Sequence, residues 1–225
     1  QGSGDNSIAI GTSATISADD GIVLGRLSKT EAEGGIAIGA NASVSEMAMP
    51  GVAIGTNATV SGEGGVAVGY GAKAEGDASI ALGAGASTGE DATNAIAIGH
   101  GSATNGVSSI AFGSDNTVNG ENSIAVGSNN TINGENSYAL GYNIKSESEE
   151  SEGIAAIGSD ILNTAGSSNI LIGEEITNTS GDENILQGKK VGNTGSSNIL
   201  LGNSVTNIGS DNIVLGNQSK ILGPS

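Results

Sequence analysis

The stretch Ser7-Ile8-Ala9-Ile10-Gly11 decides the fold, because the chain repeats it almost to the end. With its glycine as anchor, copies stand at Gly11, Gly25, Gly39, Gly55, Gly69, Gly83, Gly99, Gly113, Gly127, Gly141, Gly158, Gly173, Gly188, Gly202 and Gly216. So regular a period means one small supersecondary unit stacked on itself. The residue three before each anchor is apolar, from Ile8 and Ile22 to Ile199 and Ile213. So is the residue just before it, from Ile10 to Leu215, with Gln187 the exception. Side chains two apart share one face of a strand, and the β-branched content favours strand over helix. These two columns are expected to line the inside of a coil.

The column between them reads Ala9, Val23, Ala37, Ala53, Ala67, Ala81, Ala97, Ala111, Ala125, Ala139, Ala156, Leu171, Leu186, Leu200 and Val214. It must point the other way, yet it is never polar. A half-exposed strand alternates apolar and polar, whereas one covered on both faces is apolar throughout. Rungs stacked at ~4.8 Å would run along about 70 Å, and a stripe ~10 Å wide would cover about 700 Å². A soluble monomer seldom exposes that much. These fifteen residues are therefore expected to be sealed against other copies of the chain.

After each anchor comes a weaker second strand. Ala14 and Ile16, Ala42 and Val44, Ala58 and Val60, and Ala72 and Ala74 lie three and five residues past the glycine. Polar neighbours such as Thr15, Ser43, Thr59 and Lys73 mark its outer side as wetted. Gly, Asn, Asp and Ser then close the coil, as in Asn119-Gly120-Glu121-Asn122, where positive φ must be tolerated. The reading is all-β: a parallel β-solenoid of about fifteen coils of 14–17 residues.

Composition agrees. Among 225 residues 39 are glycine and 2% aromatic, so no large central core is expected; neighbouring rungs share thin rows of Ile, Leu, Val and Ala. A net charge of −17 argues against nucleic acid, which needs a basic footprint, and against anionic membrane surfaces. With no cysteine there is neither a disulfide framework nor a thiolate metal site.

The repeat is most regular at first. Extra residues before Gly55 (Ser45-Glu46-Met47-Ala48-Met49-Pro50) and before Gly99 (around Glu90 and Asp91) fit enlarged turns. Met47, Met49, Pro50, Glu90 and Asp91 are the candidate receptor contacts. The acidic run Ser146–Glu152 reads as a solvated turn. Residues 1–158 form one set of repeats, and 159–225 a variant set in the same continuous solenoid. In the variant set Asn169, Asn184, Asn198 and Asn212 each sit four before their anchor, in register for an amide ladder, and leucine replaces alanine in the interface column.

Catalysis finds no support. His100 is the single histidine, which makes a transition-metal site improbable. Gly69-Tyr70-Gly71 is a fragment of a phosphate-loop pattern with no helix after it. Asp115-Asn116-Thr117-Val118-Asn119-Gly120 is read as a turn rather than a calcium loop, since Thr117 takes a ligand position. No catalytic residue, no metal and no cofactor is expected.

Asn6-Ser7-Ile8-Ala9-Ile10-Gly11-Thr12-Ser13 resembles the NSVAIGxxS signature of YadA-like heads of trimeric autotransporter adhesins. Asn122-Ser123-Ile124-Ala125-Val126-Gly127 and Asn136-Ser137-Tyr138-Ala139-Leu140-Gly141 resemble it too. The resemblance implies a left-handed β-roll and a homotrimer, with the middle column as trimer interface. It implies display on the bacterial outer membrane and adhesion to host cell-surface receptors or extracellular matrix proteins. Membrane attachment is expected only through an anchor domain absent from this chain. Two alternatives stand beside the adhesin head. One is a structural spacer or self-association segment of a larger adhesin. The other is an ice-binding solenoid, which needs a regular threonine array; here Lys29, Ser43, Lys73 and Ser87 interrupt Thr15, Thr59, Thr117 and Thr131.

Overall fold

The computed structural model describes residues 4–223, in two compact units, one ending at Asp115 and the other starting at Asn116. Each is a parallel β-solenoid, and together they hold about 15 turns with no helix among the described residues. No helix there is long and apolar enough to cross a membrane.

In the first unit a rung consists of a three-residue strand such as Ile22–Leu24, a corner, a two-residue strand such as Lys29–Thr30, and a second corner. Each strand pairs in parallel with its equivalent one rung on: Ile8 with Ile22, Ala9 with Val23, Thr15 with Lys29. Enlarged rungs keep register, since Ile36 pairs with Val52 and Ile80 with Ile96. The extra residues are thus absorbed by the corner, as their spacing predicts.

The anchor glycine makes the first corner. At Gly25 φ is 148° and at Gly173 it is 141°, a region that L side chains rarely adopt. A Cβ on Gly11 would strike the carbonyl of Gly25, and one on Gly173 that of Gly188. Two residues later the chain enters the left-handed region, at Ser13, Leu27 and Asn41 with φ near 58°. The other corner repeats the device five residues before the anchor, at Asn6, Asp20 and Asn122. Asn, Asp and Ser bear this conformation well, whereas Leu27 does not. Leu27 is 48% exposed, so its side chain contributes little packing. Leu27→Asn is accordingly expected to raise stability by about 1 kcal/mol, read as a higher urea midpoint.

The orientation of the three-residue strand corrects the expectation above. Val23, Ala37, Ala53, Ala67, Ala81, Ala97, Ala111, Ala125, Ala139, Ala156, Leu171, Leu186, Leu200 and Val214 are all buried within the single chain. Ala9 is exposed in the first rung but is the register mate of Val23 and belongs to the same inward column. The flanking Ile, Leu and Val residues point out instead; Ile22, Leu24, Ile80, Leu82 and Ile157 are exposed. The middle column is therefore not an interface between chains. The reason is room. Two short strands and two tight corners leave a narrow interior, and the small residue fits there while the bulky ones stand outside.

Four inward positions recur in both units, and the first unit adds a fifth at its closing corner, at Ala32, Gly62 and Gly76. In the first unit Gly35, Ala37, Ala42 and Val44 fill one rung. In the second unit Asn169, Leu171, Ile176 and Asn178 fill the corresponding places. With the larger filling the strands lengthen, to Tyr138–Ser146, Ala155–Asn163 and Ile170–Ser180, running through the anchor corner.

Asn169, Asn184 and Asn198 form the amide row that their spacing predicts, whereas Asn212 joins it only by its backbone N–H and turns its Nδ2 to Ser210 O. Asn184 Nδ2 donates to Asn169 Oδ1 (3.0 Å) and Asn198 Nδ2 to Asn184 Oδ1 (3.1 Å). A second row, not anticipated, runs beside it: Asn178 Nδ2 to Asn163 Oδ1 (2.8 Å), Asn193 to Asn178 (2.9 Å) and Asn207 to Asn193 (2.9 Å). Its signal was an asparagine five past each anchor. The row stops at Asn207, whose Oδ1 lacks a partner, because its register mate is Ile221. Asn184→Ala leaves the Asn198 backbone N–H without its acceptor, while Asn198 Nδ2 keeps Asn193 Oδ1 and Gly209 O. Leaving a buried group unpaired costs about 1–3 kcal/mol. A loss of about 2 kcal/mol is expected in chemical denaturation.

Candidate interaction surface

Two features of the surface stand out, an apolar sheet face and a set of built-out corners. The face follows from the strand orientation just described. In the first unit pairs such as Ile22 and Leu24, Ile80 and Leu82, and Ile96 and Ile98 stack in parallel register. In the second unit Ile124 and Val126, Tyr138 and Leu140, Ala155 and Ile157, and Ile170 and Ile172 do the same, and Gln187 is the one polar member. With seven or eight rungs at ~4.8 Å and a width of ~10 Å, each unit presents roughly 350 Å² of apolar face. A contiguous patch of that size matches the largest on a typical monomer, which often has a function. At Ala155 the face dips into a hollow of about 270 Å³.

The corners come from the enlarged turns. In each, one alanine turns inward: Ala48 and Ala92 are buried, and their backbone N–H groups donate to Ser45 O and Gly89 O, both at 3.1 Å. The remaining inserted residues are pushed out. Met47 is 77% exposed, and Met49, Pro50, Glu90 and Asp91 are exposed as well. The two turns occupy the same corner three rungs apart, about 14 Å. Met49 and Pro50 overhang two earlier rungs and close a shallow hollow of about 430 Å³ with Asp20, Glu33 and Gly34. Asp20, Gly34 and Pro50 all stand five before an anchor, so rung register alone stacks them. Asp20 and Glu33 were not among the residues that sequence reading singled out, because neighbours across rungs lie far apart in the chain.

Other charged groups are solvated. His100 Nδ1 lies 3.5 Å from Asp115 Oδ1, with both side chains mostly in water. Lys189 Nζ donates to both carboxylate oxygens of Glu174 at 2.9 Å, and this bond and charge raise its pKa above the ordinary lysine value. A lysine raised in this way stabilises the fold below its unfolded pKa and loses that contribution only as pH rises through the folded value, in the alkaline range. Exposure to water keeps the contribution small. Among the described residues no three His, Cys, Asp or Glu side chains converge to hold a metal ion. Asn116, from the stretch compared with a calcium loop, and Asn130, its equivalent one rung on, are buried, and Asn130 Nδ2 donates to Asn116 Oδ1 at 3.0 Å.

Short parallel rungs, anchor glycines and one apolar outer face define the class: a β-solenoid repeat domain of the adhesin-head type. The family model described as YadA head domain repeat (2 copies) matches residues 3–15, 17–42, 51–72, 61–86, 91–116 and 105–130, just over half of the chain. The chain belongs to the YadA head family. That family is one of adhesin domains rather than enzymes; membership implies trimeric self-association and a surface-exposed autotransporter adhesin. No curated protein matches the chain.

Proposed function

We propose that this chain is the head of a bacterial surface adhesin that works as a homotrimer and binds a host cell-surface receptor or extracellular matrix protein. The observation that carries this reading is the apolar outer face that the stacked strands present in each unit. Left in water, stacked Ile, Leu and Val columns would draw chains together without order; sealed between three chains, they become a core. Removing such area from water stabilises by about 25 cal/mol per Å². The face thus takes the role that sequence reading gave to the middle column.

Receptor contact then falls to surfaces that trimer formation leaves free. The corner of Met47, Met49 and Pro50, with Asp20 and Glu33 below, joins an apolar ledge to two carboxylates. It suits a basic side chain flanked by apolar groups, in keeping with the acidic chain. Three equivalent copies would add avidity.

Sedimentation at micromolar concentration tests assembly, and a trimer is expected. Immobilised receptors and matrix proteins test adhesion. Binding that is lost in Met47→Ser/Met49→Ser supports the corner, while a trimer that binds none of them is a spacer within a larger adhesin.

A further inference from the structure

The outer face repeats itself so closely that it carries little information about alignment. Three residues before the anchor, every rung has Ile or Val except two, and these two are register mates: Tyr138 and Ala155. The largest residue of the column stands beside the smallest. Tyr138 is 52% exposed and leaves the space over Ala155 open. That space is the hollow of about 270 Å³, lined by Ile124, Leu140, Ile157 and Tyr138 among others, all apolar.

We propose that the ring of Tyr138 from a second copy of this chain fills the hollow over Ala155 and so sets the alignment of chains in the assembly. This rests on the reading that the outer face is the contact between copies. Two chains side by side at equal height bring each Tyr138 beside the neighbour's hollow, one rung away. A tyrosine is longer than the ~4.8 Å step between rungs and spans it. A slip that sets Tyr138 level with Ile124 leaves the hollow empty, and a slip the other way, repeated at each of three contacts, cannot close a ring. Elsewhere in this column Ile or Val meets Ile or Val in either alignment, and this pair is its one mismatch in size. A repeating surface otherwise specifies register weakly.

The test uses the whole chain in a Tyr70→Phe/Tyr142→Phe background, where Tyr138 is the one tyrosine and no tryptophan interferes. Sedimentation gives the association constant, and acrylamide quenching reports access to the ring. Ala155→Ile fills the hollow from within the chain and points outward, so the strand signal in circular dichroism should persist. It is expected to weaken association about tenfold. Tyr138→Ala should weaken it similarly, and the double variant Tyr138→Ala/Ala155→Ile should recover most of the loss. In the assembled parent the ring should be shielded from acrylamide, and on dilution to single chains exposed. Normal association of Ala155→Ile, or a ring equally quenched in both states, overturns the proposal while leaving assembly through this face intact. A parent chain that sediments singly at micromolar concentration overturns both.

Discussion

Ala81→Asp is expected to abolish folding of the first unit, whereas Leu82→Asp, one residue away, is expected to leave the strands formed and the chains apart. Ala81 is fully buried, between register mates Ala67 and Ala97. A carboxylate there has no cation, and the buried hydroxyls of its own rung, Ser79 and Thr88, already bond each other at 2.8 Å. Burying it costs on the order of ten kcal/mol, comparable with the roughly 5–15 kcal/mol that holds a typical domain together. Circular dichroism should show the first unit's share of the strand signal gone at 25 °C, with that of the second unit kept. Leu82 stands on the outer face and is exposed in the single chain. Aspartate there meets water in the free chain but meets its own copies in a trimer, where like charges repel without solvent. Sedimentation should fall to the single-chain value with the strand signal intact. Were the middle column the outer one, the two outcomes would be exchanged, so this pair decides the orientation of the strand directly.

The second large effect is expected at the anchor. Gly173→Ala should cost at least about 3 kcal/mol. Two penalties add: φ of 141°, which alanine avoids, and a new Cβ driven into the Gly188 carbonyl. That carbonyl is backbone in the neighbouring rung, so relief requires the rungs to part. Gly192 supplies the control within the same unit. Nothing lies within 4 Å of a Cβ added there, and its φ is not in the strained region. Gly192→Ala should be neutral or stabilise by up to about 1 kcal/mol. Urea unfolding of the two variants side by side gives the comparison, and equal midpoints would refute the account of the anchors.

What could be read in the sequence follows from what a repeat displays. The spacing of the glycines carried the parallel rungs, the two strands per rung and the placement of extra residues at corners. It did so because each anchor must stack on the next. Burial of Ala42, Val44, Ala58 and Val60 was legible too, since polar neighbours marked the wetted side. The three-residue strand was different. Apolar on both faces, it offered no polar residue to say which side is out, and hydropathy alone led to the inverted assignment. Side-chain size held the answer: ten alanines in the first eleven rungs suit a crowded interior, and the isoleucines on either side do not. The second amide row was visible in outline, as an asparagine five past the anchor. It was passed over because Asn-Thr pairs there look like ordinary turn residues. Asp20 and Glu33 were beyond reach for another reason: their meeting with Met49 depends on which residues share a corner, and that emerges only once the rungs are stacked.

The interchangeability of the rungs bears on heredity. Because Val52 and Val66 sit in equivalent places, cutting out residues 56–69 would join Gly55 to Tyr70 and leave a shorter roll with every side chain still facing correctly. Removing one residue from within a three-residue strand would turn inside out whatever follows it in that strand. Deletion or duplication of whole rungs therefore has a ready supply of viable lengths. A lineage carrying such a gene can vary the reach of its surface protein in discrete steps, without inventing a new amino-acid contact.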